Sequence, residues 1–148
     1  MDKRTSDGRY SSCKRCHRQP GGYRKYMGKY RKELRKNPTP YIAAVVAEAA
    51  ISSRTSSIHK RKYKSYTDVE RKISKVELSR FFEENWDTFM EMFEDWRNSG
   101  FQRRLYPSID RIDSSGHYEL VNIRLLPFHE NARLGSKKKD ASPKVNTI

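Results

Sequence analysis

Cysteine is almost missing from this chain. Cys13 and Cys16 are the only two in 148 residues. Two thiols make no disulfide framework, and a C-x-x-C spacing inside a basic segment favours a metal half-site or free thiols over a bridge. No apolar run approaches the roughly 18–20 residues that a helical membrane span needs. Met1-Asp2-Lys3-Arg4 is not followed by the apolar region of a signal peptide. The expectation is a soluble protein, intracellular and cytoplasmic. Apolar residues are scarce at 34%. The core must therefore be modest, and part of the chain is expected to be poorly ordered. Acidic charge is also short, with Asp+Glu 18 against Lys+Arg 32.

What is present in surplus is positive charge, a formal +14. A polyanionic partner suits that surplus, because each Lys– or Arg–phosphate contact releases a counterion whatever the sequence bound. Residues 1–36 carry 13 Lys/Arg and 3 Asp/Glu. Tyr10, Tyr23, Tyr26 and Tyr30 interleave with these bases, a mixture that can clamp a backbone and stack on bases, or simply form a solvated arm. A second basic block, His59-Lys60-Arg61-Lys62-Tyr63-Lys64, fits a loop or helix end against phosphates, with Lys60, Arg61, Lys62 and Lys64 as candidate contacts.

Between the two blocks, Asn37-Pro38-Thr39-Pro40 is a breaker, with Thr39 a plausible N-cap. The Ala-rich stretch from Tyr41 to Ser52 reads as a short packed helix. Ser74-Lys75-Val76-Glu77 matches a capping box. It opens one long helix with Leu78, Phe82, Trp86, Phe89, Phe93 and Trp96 on one face, ended at Asn98-Ser99-Gly100. Residues 77–100 hold 7 acids against 2 bases. That helix should be a spine and should not face a nucleic acid.

The densest chemistry lies in Pro107-Ser108-Ile109-Asp110-Arg111-Ile112-Asp113, Gly116-His117-Tyr118, Asn122-Ile123-Arg124 and His129-Glu130-Asn131. Ile109 and Ile112 frame a short strand. Asp113-Ser114-Ser115-Gly116 is a turn signature. Leu120 to Leu126 alternates as a second strand. Pro127 ends it before a helix opening near Phe128. The chain divides into a basic arm (1–36), a helical scaffold (37–105), a hairpin–helix unit (106–135) and a basic tail expected to be disordered (136–148). The fold class is α+β.

The stretch P-S-I-D-R-I-D-S-S-G-H-Y-E-L-V-N-I-R followed by H-E-N-A-R resembles the HNH endonucleases, in particular their homing-type, phage-borne branch. The resemblance covers about 30 residues. It implies a ββα-metal unit, a β-hairpin and a helix around one divalent ion. It further implies a metal-dependent DNA endonuclease that nicks or cuts double-stranded DNA, in the host cell of a phage if the branch is right. Asp110 matches the family's acidic metal ligand and Asn131 its helix ligand, 21 residues later. Asn122 matches the central Asn that holds the hairpin in shape. The family's general base follows the metal-binding Asp, and here that position is Arg111. Arginine, with a pKa above about 12, cannot take a proton from water. Another group must activate water, or the protein is a weakened relative that binds nucleic acid without cutting.

Phosphodiester hydrolysis needs activated water, charge relief on the phosphorus and help for the leaving oxygen. Mg²⁺ or Mn²⁺ on Asp and Asn oxygens supplies the last two. Arg111 and Arg124 are candidate phosphate contacts. For the base, His117 in the turn is the first choice and His129 at the helix start the second, with Asp113 a third. Cys13 and Cys16 are half a zinc site. The second C-x-x-C pair of many relatives is missing here, because Pro127 and Glu130 stand in its place. Zinc would then need His17, another His, or a second chain.

Overall fold

The computed structural model describes residues 22–140, with side chains from 25 to 134. Cys13, Cys16 and His17 lie outside the described residues, as do the first part of the basic arm and the end of the tail. The fold is mixed helix and strand, mostly helical, with one two-stranded antiparallel sheet and a C-terminal helix. No helix among the described residues is long and apolar enough to cross a membrane.

Part of the segment read as an arm is helix α1, Gly22–Lys36. Its charge hides a helical spacing. Met27 and Leu34 are buried, and Tyr30 packs against the same core. Steps of three and four put these side chains on one face while Lys and Arg take the others.

Helix α2, Pro40–Arg54, starts where the breaker predicts. Thr39 accepts a bond from the Ile42 N–H at 3.2 Å, and Pro40 sits in the first turn, where a missing N–H costs nothing. Small side chains (Ala43, Ala44, Ala47) let α1 and the next long helix approach closely. The second basic block forms a short helix α3, Ser57–Lys62, capped by Ser56. A 3₁₀ turn over Lys64–Tyr66 follows.

The expected spine is broken in two, a correction to the single-helix reading. Helix α4 spans Lys75–Glu84 and α5 spans Trp86–Asn98. Asn85 divides them. Its side-chain amide donates to the Phe81 carbonyl at 2.8 Å, the kind of local competition with the backbone ladder that bends helices. The break does not disturb the apolar stripe. Phe82, Phe89, Phe93 and Trp96 are all buried, with ring centroids 5.5 Å apart for Phe82–Phe89 and 5.9 Å for Phe93–Trp96. The Ser74 capping box is formed in both directions, 3.2 Å from the Glu77 N–H to Ser74 Oγ and 2.8 Å back.

After α5, Gly100 and Phe101 both take the left-handed conformation, with φ of 76° and 63°. Gly100 has no Cβ to resist it; Phe101 does, and its ring is held edge-on to Trp96 at 4.8 Å. Strand β1 is Pro107–Arg111 and β2 is Ile123–Pro127. They pair antiparallel, with Asp110 opposite Arg124 and Ile109 opposite Leu125.

Both strands are shorter than the sequence suggests. Ile112 is exposed beyond β1. Residues 120–122 form a 3₁₀ turn, with Val121 85% exposed, because the Asn122 side chain is drawn into the loop. Helix α6, Phe128–Asp140, follows directly and carries residues 136–140, a correction to the disordered tail expected from residue 136 onward. The core joins Leu34 of α1, Ile51 of α2, Leu78 of α4, Phe93 of α5 and the strand residues Ile109, Ile123 and Leu125 in one cluster.

Candidate metal and phosphate site

The loop joining β1 to β2 is built around Asn122. Its Oδ1 accepts the Asp113 N–H at 2.8 Å. Its Nδ2 donates to the carbonyls of Asp113 at 3.0 Å and His117 at 2.9 Å. Its own carbonyl takes the Ile112 N–H at 2.9 Å. Asp113 closes the turn by accepting from the N–H and hydroxyl of Ser115. It is a turn residue in this geometry.

Gly116 is required by this arrangement. A Cβ there would stand 2.7 Å from Asn122 Nδ2 and 3.4 Å from the Asp113 carbonyl. Three bonds prevent the Asn122 side chain from yielding. Gly116→Ala should therefore lose about 1–3 kcal/mol in urea unfolding. Wild-type stability would show that the loop can relax without the Asn122 bonds.

Arg111 is only 7% exposed. Its Nη1 donates to the carbonyls of Ser114 at 2.7 Å and Gly116 at 2.8 Å. Its guanidinium lies over the rings of Tyr66 at 4.9 Å and Tyr118 at 5.1 Å. In this geometry Arg111 clamps the loop, and the charge that the sequence reading aimed at phosphate is spent on it. Tyr118 is buried, donates its N–H to the Glu70 carbonyl at 2.9 Å and accepts from the Lys72 N–H at 2.8 Å. The hairpin loop is thereby tied to the segment before α4. Burial raises the Tyr118 hydroxyl above its usual 10.0, so it is neutral at pH 7.

Asp110 faces outward from β1 with its side chain 16% exposed, and its Oδ2 receives Arg124 Nε at 3.1 Å and Nη2 at 3.0 Å. Asn131, on the first turns of α6, donates Nδ2 to Ser108 Oγ at 3.3 Å and reaches toward the Ile109 carbonyl at 3.5 Å. Asp110 and Asn131 border one cleft of about 170 Å³, together with Arg54, Tyr66, Arg111 and Tyr118. Each has one side-chain oxygen that no other described residue bonds. Carboxylate and amide oxygens are hard donors, the type that Mg²⁺ and Mn²⁺ take. Among the described residues no three His, Cys, Asp or Glu side chains converge as a full protein cage would require.

Neither candidate histidine borders the cleft. His117 Nδ1 accepts the Glu70 N–H at 3.1 Å, which leaves the proton of the neutral ring on Nε2 and no lone pair for a water. His129 has the opposite arrangement. Its Nδ1 lies 2.9 Å from the Arg104 carbonyl, so Nδ1 carries the proton and Nε2 keeps its lone pair, on an exposed ring.

Three contributors were missed in the sequence: Arg54, Tyr66 and Tyr118. Arg54 donates to the Ile109 carbonyl at 3.3 Å and to the Tyr118 hydroxyl at 3.4 Å across 55 and 64 residues. No local pattern marks such partners. The basic block of α3 is fastened to the cleft by the ring contact of His59 with Tyr66 at 4.7 Å. Lys60 is half-buried, and Arg61, Lys62 and Lys64 are exposed beside it.

Burial holds the His59 imidazole below its usual 6.5, and the charges of Arg54 and Lys62 push the same way. At pH 7.5 it is neutral folded or unfolded and contributes no pH dependence. Below about 6.5 the unfolded chain binds the proton first, so stability falls as the pH drops. Unfolding measured from pH 7.5 to 5.5 should fall more steeply for wild type than for His59→Phe. Equal slopes would remove His59 as a cause.

Comparison of the chain with protein-family models, curated proteins and solved structures gives no match.

Proposed function

We propose that this protein is a metal-dependent DNA endonuclease of the HNH type, with the hairpin and α6 as its ββα-metal unit. The observation that carries the reading is the cleft bordered by Asp110 of β1 and Asn131 of α6, at the junction of a hairpin braced by Asn122. A bound Mg²⁺ or Mn²⁺ would neutralise charge on the phosphate and assist the leaving oxygen. Asp110 and Asn131 would hold it through their unbonded oxygens. Arg124 is 41% exposed and among the described residues is paired with Asp110 alone, so its guanidinium can turn from that carboxylate to a phosphate when the metal takes Asp110. Lys60, Arg61 and Lys62 of α3, whose His59 packs on Tyr66 of the cleft, and Lys64 just after it would grip the backbone further along. Of the two candidate histidines only His129 keeps a ring nitrogen, Nε2, with a lone pair, and from outside the cleft it would act through an intervening water.

The second reading is a protein of the same build that binds nucleic acid without cutting. The placement of both His117 and His129 off the cleft favours it, as does the burial of Arg111. Supercoiled plasmid separates the two. The endonuclease reading expects nicking with Mg²⁺ or Mn²⁺ that a chelator stops and that His129→Ala slows about 10²-fold, the usual scale for a general base. Tight plasmid binding with no nicking under either metal would leave the binding reading.

A further inference from the structure

A larger cavity, about 490 Å³, opens further along β1 between α1, the end of α2, α5 and the start of α6. Four arginines border it, namely Arg31, Arg35, Arg54 and Arg103, and no acidic residue does. None of the four is ion-paired among the described residues. The omission is not for want of carboxylates. Glu91, Glu94 and Asp95 all lie on α5, whose Trp96 forms part of the wall, yet they point elsewhere.

Four aromatic residues, Trp96, Phe101, Tyr106 and Phe128, form most of the remaining wall, with Leu34, Val46 and Ser108. The guanidinium of Arg35 lies 5.7 Å from the Trp96 ring and 5.3 Å from that of Phe101, and Arg103 lies 4.9 Å over Phe128. Trp96 is 4% exposed, and its Nε1, closed off from water, has no partner among the described residues. Four like charges gathered without a counter-charge among the described residues repel one another, and an anion would relieve that repulsion.

We propose that this cavity is a phosphomonoester site that takes a nucleotide, with the phosphate among the four arginines and the base against the aromatic wall. A terminal phosphate carries about −1.5 to −2 at neutral pH, a better match for four guanidiniums than the single charge of an internal phosphodiester. The volume exceeds what a bare phosphate fills and falls in the range of small-ligand sites. The nucleotide is either free or the end of a strand. Ser108 borders this cavity and Asp110 the cleft, so the two sites are about 6–7 Å apart along β1. Arg54 and Phe128 border both. A strand end could thus lie here while a neighbouring residue of the strand reaches the cleft, although the site does not depend on cutting.

The test uses the full chain in chelator, so that no strand is cut. Fluorescence anisotropy compares short labelled DNA strands with phosphorylated and hydroxyl ends. Phosphorylated strands should bind at least tenfold tighter. That preference should vanish in the Arg35→Gln/Arg103→Gln double variant and persist in Arg80→Gln, which removes a charge from the exposed side of α4 and borders neither site. Adenosine monophosphate added to wild type then assigns the source. Displacement of the phosphorylated strand at similar concentration supports a free nucleotide, and lack of displacement supports a strand end. Equal affinity for both kinds of end, with no effect of adenosine monophosphate, overturns the proposal. That wild-type comparison stands even if the double variant does not fold.

Discussion

Arg111→Ala should be the most destabilising single substitution at the hairpin, lowering stability by about 3–5 kcal/mol. Two carbonyls lose a charged donor, each bond worth roughly 1.5–3 kcal/mol, and the ring contacts with Tyr66 and Tyr118 add about 0.5–2 kcal/mol. Non-additivity within one cluster holds the total below the sum. The melting temperature should fall by roughly 10–20 °C for a domain of this size. Arg111→Lys should recover only part of the loss, because an ammonium lacks the planar fork that spans the Ser114 and Gly116 carbonyls while lying flat on two rings. Arg61→Ala, at an exposed position of α3, should stay within about 0.5 kcal/mol of wild type. If Arg111→Ala melts like wild type, the guanidinium is not the clamp described, and its charge is available to a ligand.

Asp110→Ala should have the opposite profile, with little loss of stability and, on the proposed endonuclease function, nearly complete loss of plasmid nicking. The Asp110–Arg124 pair is partly exposed and stabilises the fold by at most about 1 kcal/mol. Asp110 is also the one carboxylate bordering the cleft among the described residues. Without it a hard cation keeps only the neutral Asn131 oxygen. A loss of about 4 kcal/mol of metal-dependent stabilisation corresponds to roughly 10³-fold in rate. Nicking at the wild-type rate in a folded Asp110→Ala protein would remove the cleft from the chemistry.

The parts of this architecture that were legible in the sequence are those written in local code. Thr39-Pro40 and the Ser74–Glu77 box mark helix starts because the cap is made by neighbours in sequence. The Phe and Trp stripe marks a buried face because helical period is local, although the same period could not reveal that Asn85 would bond Phe81 and split the helix. Helix α1 was obscured because its apolar packing residues among the described side chains, Met27, Tyr30 and Leu34, are few amid a run of Lys and Arg.

In the candidate site, the spacing of Asp110, Asn122 and Asn131 was legible through family resemblance. The fates of Arg111 and His117 were not, because both are decided by distant partners. Tyr66 and the Glu70 N–H reach the hairpin from more than 40 residues away in the chain. The arginine cavity was invisible for the same reason, since Arg31 and Arg35 of α1 meet Arg54 of α2 and Arg103 only after folding.

The central claim, that Asp110 and Asn131 share a hard cation, is tested most directly by titrating the protein with Mn²⁺ and following amide signals by NMR. The Asn131 side-chain amide and the backbone amides of Asp110 and its neighbours should broaden at low Mn²⁺. The effect should disappear in Asp110→Ala and be reversed by excess Mg²⁺. Broadening that is absent at this cleft, or that persists unchanged in Asp110→Ala, would contradict the account.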